Sequence, residues 1–179
     1  MKWKGIINLI LGRKPMAALQ SGSKAPAISL KTIDGESMSL AEALKKGPVL
    51  VAFFKVSCPV CQFTFPFLER LHEKFGGGKF TLWGISQNDR EETVDFAQQF
   101  GIRFPMLLDT PSFEVSNQYK LTNVPSLFFI QPSGKIGLSS VGFAKADIEQ
   151  IAKELGEATA SPAFAIFRPG EVVPAYKPG

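Results

Sequence analysis

The chain has 179 residues, of which 45% are apolar, a size and balance that suit one domain with a substantial core. No run approaches the roughly 20 apolar residues that a membrane-spanning helix needs. The 20 Lys and Arg exceed the 16 Asp and Glu by four, but Lys2, Lys4, Arg13 and Lys14 all lie in the first fifteen residues, which leaves the body formally neutral and weakens a nucleic-acid reading, which would want a basic stripe on the folded domain.

Those first fifteen residues, MKWKGIINLILGRKP, form a basic arm, which we group with residues 16–23 as a segment preceding the domain. The apolar run 6–11 is interrupted by Asn8, is short for a secretory signal, and is followed by Arg13, Lys14 and Pro15 with no small-residue cleavage site. A cytoplasmic location is therefore expected rather than a periplasmic one. Trp3, Ile6, Ile7, Ile10 and Leu11 fall at helical spacing, which fits peripheral contact of residues 1–15 with an anionic membrane. A docked or disordered terminal segment fits the pattern as well.

From residue 24 the punctuation is regular. Residues 28–33 read as a strand, Asp34-Gly35 as a tight turn, and Ser39 to Glu42 (SLAE) as a capping box opening a short helix that Gly47-Pro48 closes. Residues 49–54 (VLVAFF) have the continuous apolar character of a buried central strand. A longer helix is expected from about Cys58 to Phe75, stopped by Gly76-Gly77-Gly78. Strands at 80–86 and 104–108 flank a helix capped by Asp89 and ending near Gly101. A helix at 113–119, strands at 127–130 and through Val141 around a turn at 132–134, and a last helix at 145–155 complete the pattern. This alternation predicts an α/β fold with a mostly parallel sheet covered on both faces, its last two strands antiparallel.

Only two cysteines are present, too few for a disulfide scaffold, but Cys58-Pro59-Val60-Cys61 falls where a buried strand gives way to a helix. At a helix N-terminus, unpaired backbone N–H groups and the helix dipole favour an anion, and the thiolate is the nucleophile. Pro59 at the first helical position lacks only an N–H that would be unpaired anyway. Cys61, one turn further in, is placed to attack a mixed disulfide on Cys58. A zinc site would need four ligands, and His72 is the sole histidine with no third cysteine beside it. A purely structural disulfide closing so short a loop gains only about 2 kcal/mol, against nearly 5 for a loop of about 100 residues. A redox pair is the reading that remains, with no metal and no cofactor.

The run VLVAFFKVSCPVCQFTFPFLERL resembles the thioredoxin superfamily, most closely the redoxins related to TlpA-type thiol–disulfide oxidoreductases and to alkyl hydroperoxide reductase/thiol-specific antioxidant proteins. The resemblance covers residues 24–155, leaving 156–179 as a C-terminal extension. It implies a thioredoxin-like fold, a central mixed sheet flanked by helices, with residues 80–119 as a redoxin-type insertion. It also implies that Pro66 kinks the active-site helix, and that Pro125 is cis, faces the cysteines, and with Val124 holds an extended substrate. The implied partners are thiols or disulfides of proteins or small molecules.

Departures from the family pattern matter equally. The buried Asp of thioredoxins is replaced by Ala52, the Glu common in the reductases by Thr64, and the Trp before the first cysteine by Ser57. The Pro and Thr of the peroxidase motif are replaced by Val51 and Lys55. Lys55, Pro59, Val60 and Thr64 remain as residues that could tune the pair. The readings left open are disulfide exchange, a peroxiredoxin-like thiol peroxidase, and a non-catalytic binding module using the Phe-rich face of Phe63, Phe65 and Phe67 as a groove.

Overall fold

A computed structural model describes residues 17–179, so the basic arm at 1–15 lies outside the described residues. The elements in chain order are β1 (Ser29–Thr32), β2 (Ser37–Ser39), α1 (Leu40–Leu44), β3 (Val49–Phe54), α2 (Pro59–Phe75), β4 (Thr81–Ser86) and α3 (Arg90–Phe100). They continue with β5 (Met106–Leu108), α4 (Glu114–Gln118), β6 (Ser126–Ile130), β7 (Ile136–Val141), β8 (Phe143–Ala144), α5 (Lys145–Thr159) and β9 (Tyr176–Lys177).

Seven strands form one sheet in the order β2-β1-β5-β4-β3-β6-β7. Only β3–β4 and β4–β5 pair in parallel, whereas β1–β2, β1–β5, β3–β6 and β6–β7 are antiparallel. The sheet is therefore mixed, and the expectation of a mostly parallel one is corrected. The helical crossovers make only the β3-β4-β5 unit parallel, while β1 and β6 join its edges in the opposite sense.

Every residue of β3 is buried, so both of its faces are covered. Leu50, Ala52 and Phe54 point into a core shared with α2, α3 and α5, whereas Val49, Val51 and Phe53 face Leu40, Val115 and Tyr119 on the other side. That period of two, with apolar residues on each face, is why the run reads as continuously hydrophobic.

Local chemistry explains the helix ends. The Asp89 carboxylate accepts the Glu92 N–H at 2.9 Å to start α3, and Gly101 ends it in the left-handed conformation at φ 65°. The expected capping box at Ser39 does not form: Ser39 ends β2, its side chain makes no cap bond, and Glu42 pairs with Lys45 instead.

Both ends of the domain are tied in. Ala18 is buried, Leu19 N–H donates to the Tyr119 carbonyl, and Gly22 N–H donates to that of Ile136. Beyond α5, which continues past Leu155 to Thr159, the chain packs back over α2: Ile166 is buried, and Phe167 meets Phe67 edge to face with ring centroids 5.0 Å apart.

Candidate active site

Cys58 is the N-cap of α2, and its Sγ accepts the Cys61 backbone N–H at 3.3 Å. The sequence reading placed the first cysteine at this helix end, and the structure puts it there with Pro59 in the first turn. Cys58 is half-buried, Cys61 is fully buried, and both are free thiols.

The turn before the helix is held from several sides. Cys58 N–H donates to the Lys55 carbonyl at 3.2 Å, Val56 N–H to Asn88 Oδ1 at 3.0 Å, and Gln62 Nε2 to the Val56 carbonyl at 2.9 Å. Asn88 follows β4 and Gln62 follows Cys61, so the loop is pinned both by a neighbouring strand end and by its own helix. Sequence reasoning missed both. The available signal was position: loops at the carboxyl ends of adjacent parallel strands, here β3 and β4, converge.

Opposite the cysteines, the Val124–Pro125 peptide is cis, and the Cys58 thiol donates to the Val124 carbonyl at 3.4 Å across 66 positions of sequence. Lys55 and Val124 line the same depression, of about 230 Å³, with Gln87 and Asn123. Among the described residues the Lys55 side chain is exposed and enters no hydrogen bond, so Lys55 bears on the cysteine pair through its backbone.

Burial and the Cys58 side chain push the Cys61 thiol far above its ordinary range, burial being the larger cause. No carboxylate is among the groups that bear on it. Ala52 in β3 is buried in the same core as Cys61, and Thr64 donates its hydroxyl to the Val60 carbonyl at 2.7 Å.

The Phe-rich face divides in two. Phe65 is core, packed on Phe54, Phe96 and Phe104. Phe63 and Phe67 meet Phe143, and Phe67 also meets Phe167 from the returning tail. Much of the groove a binding module would use is thus filled by the chain itself. No group of three or more His, Cys, Asp or Glu among the described residues is arranged to hold a metal ion.

Known proteins resemble this chain in sequence and fold. Thiol-disulfide oxidoreductase ResA of Bacillus subtilis is 27% identical over 132 residues, covering 73% of this chain and 72% of that protein. The thioredoxin-like protein YneN of the same organism is 28% identical, covering 76% and 81%. The crystal structure of a thiol:disulfide interchange protein of the thioredoxin family from Chlorobium tepidum superposes with a TM-score of 0.64 at 29% identity, covering 78% of this chain and 99% of that one. The AhpC/TSA family model matches residues 21–139, the span that carries β1 to β6, most of β7, both cysteines and the Val124–Pro125 loop. This thioredoxin-fold chain belongs to the AhpC/TSA family.

Proposed function

We propose that in this thiol–disulfide oxidoreductase Cys58 is the attacking thiol, Cys61 the resolving thiol, and the Val124–Pro125 backbone the surface that holds the substrate. The observation that carries this assignment is the asymmetry of the pair: Cys58 caps α2 at the surface, whereas Cys61 is enclosed one turn inside it.

The exchange balances as follows. The Cys58 thiolate attacks one sulfur of a substrate disulfide, forming a mixed disulfide and expelling the other sulfur as a thiolate, which takes up a proton. Cys61 then loses its proton and attacks Cys58 Sγ. The second substrate thiolate leaves, and Cys58 and Cys61 are joined. The substrate has gained two electrons and the protein has lost two, and the reverse sequence oxidises a dithiol. The partners are protein or small-molecule thiols and disulfides.

The compartment and the arm belong to the same proposal. No helix among the described residues is long and apolar enough to cross a membrane. Residues 1–15 would hold the domain at the cytoplasmic face of an anionic membrane, a reading supported by their four basic residues and helical apolar spacing.

Insulin reduction and peroxide consumption by one purified sample test the assignment. Insulin turnover lost in Cys58→Ser is expected. Peroxide turnover without insulin turnover would make Cys58 a peroxidatic residue, oxidised to a sulfenic acid that Cys61 resolves. Turnover of neither would leave a binding module.

A further inference from the structure

The segment after α5 is fastened in two unequal stages. Its first part is firmly held: Ile166 is buried, Phe164 packs on Phe75, and Arg70 grips both Glu171 carboxylate oxygens, at 2.8 and 2.5 Å, and the Ile166 carbonyl at 3.0 Å. Its last part is held by a few backbone bonds and by Lys177 Nζ, which lies 5.1 Å from the centroid of the Phe63 ring. Tyr176 and Lys177 pair with Ala144 and Phe143, Ala175 accepts from Lys145 N–H at 2.9 Å, and Asn123 Nδ2 donates to the Gly179 carbonyl at 3.0 Å. Backbone bonds with few buried apolar contacts open locally at low cost.

That weakly held end lies against the site. A Cβ built on Gly179 would fall 2.6 Å from the Val124 carbonyl oxygen, the same atom that accepts the Cys58 thiol. Gly142 lets the segment descend this far, because a side chain there would collide with the Lys177 carbonyl. Gly142 N–H in turn donates to the Pro125 carbonyl at 2.8 Å, so the floor under the segment is tied to the substrate loop.

We infer that residues 175–179 form a strap that selects substrates by size: small disulfides reach Cys58 with the strap in place, whereas an extended polypeptide disulfide reacts only after it lifts. The inference rests on the exchange proposed at Cys58. A small disulfide needs only a path to Sγ. A polypeptide advances roughly 3.3 Å per residue on either side of its reacting sulfur, and backbone alongside Val124 is where Gly179 already lies.

The test is made on the full chain with Lys177→Pro, which removes a backbone donor from the strand pair, and independently with Tyr176→Gly, which replaces an exposed strand-favouring residue of β9 with one that weakens the strand. Amide hydrogen exchange at residues 143–145 verifies release, and kcat/KM is measured for insulin and for glutathione disulfide. Release should raise the insulin value about tenfold, the gain when a competent state grows from about a tenth to nearly all of the population. The glutathione disulfide value should stay unchanged. Verified release with an unaltered ratio of the two values, or with a fall for insulin, overturns the strap alone. No turnover of either disulfide by the unmodified protein, with Cys58 still open to alkylation, overturns the exchange reading and the strap with it.

Discussion

The hydroxyl of Thr64 donates to the carbonyl oxygen of Val60 at 2.7 Å, one helical turn back along α2. At the position where the related reductases often carry a carboxylate, this chain has a group whose one proton is already committed to the helix. Thr64→Val should therefore leave the rate of disulfide resolution within about twofold and cost about 1 kcal/mol of stability, the usual net value of such a bond. Single-turnover kinetics and urea unfolding measure both. A tenfold slower resolution would show that the hydroxyl takes part in proton transfer.

The depth difference between the cysteines sets their order of reaction. Iodoacetamide near neutral pH should label Cys58 quickly and Cys61 slowly, because Cys61 is enclosed and its thiol is held protonated. Cys61→Ser should accumulate mixed disulfides with substrate, and Cys58→Ser should accumulate none. Peptide mapping by mass spectrometry reads both outcomes, and preferential labelling of Cys61 would reverse the roles.

Glu171 anchors the returning segment as an anion. Its hydrogen bonds from Arg70 and from the Arg168 backbone hold its carboxyl down at about 2, from an ordinary 4.5. A carboxyl lowered on folding contributes stability above its unfolded value and loses it as pH falls through its folded value. The anchor should accordingly weaken between about pH 4.5 and 2. Glu171→Gln should loosen it already at neutral pH and flatten that acid response. Hydrogen exchange at residues 164–171 follows the change, and an unaltered acid profile in Glu171→Gln would assign the anchoring to the apolar contacts alone.

These features differ in how far the sequence exposed them. The bounds of β3 and α2 were legible because their signals are local: an unbroken apolar run, a Cys-Pro start and a glycine stop. β2, β8 and β9 were not, since strands of two or three residues have no measurable period and exist through their pairing. The same limit applies at the site. Phe63, Phe65 and Phe67 look equivalent in sequence, yet Phe65 is core while Phe63 and Phe67 meet Phe143, and Phe167 reaches Phe67 from a hundred positions further along. Asn88 and Gly179 reach the site by tertiary path alone.

The arm has a prediction of its own. All the excess positive charge and the helical apolar spacing lie in residues 1–15, so any affinity for anionic vesicles should lie there too. Flotation with phosphatidylserine-containing liposomes should carry the full chain and leave behind a chain starting at Met16. Equal flotation of the two would remove the arm's assignment.

The pH dependence of resolution follows from what surrounds Cys61. To release product it must become a thiolate, and burial opposes that charge while no carboxylate is placed to take the proton. Ala52 has no acceptor, and the hydroxyl of Thr64 is turned toward Val60. Once Cys58 carries a mixed disulfide its hydrogen-bonding influence on Cys61 changes, but burial, the larger cause, remains. The reactive fraction of Cys61 should then grow close to tenfold per pH unit, with no plateau before an ordinary free thiol reaches one near pH 8.5. A preformed mixed disulfide on Cys58 should persist about a hundredfold longer at pH 6 than at pH 8 on that slope. Stopped-flow resolution of such an adduct from pH 5.5 to 9 gives the profile directly. A plateau already reached below pH 7 would mean that another residue or a bound water acts as the base, and that replacing the family's carboxylates with Ala52 and Thr64 does not slow this step.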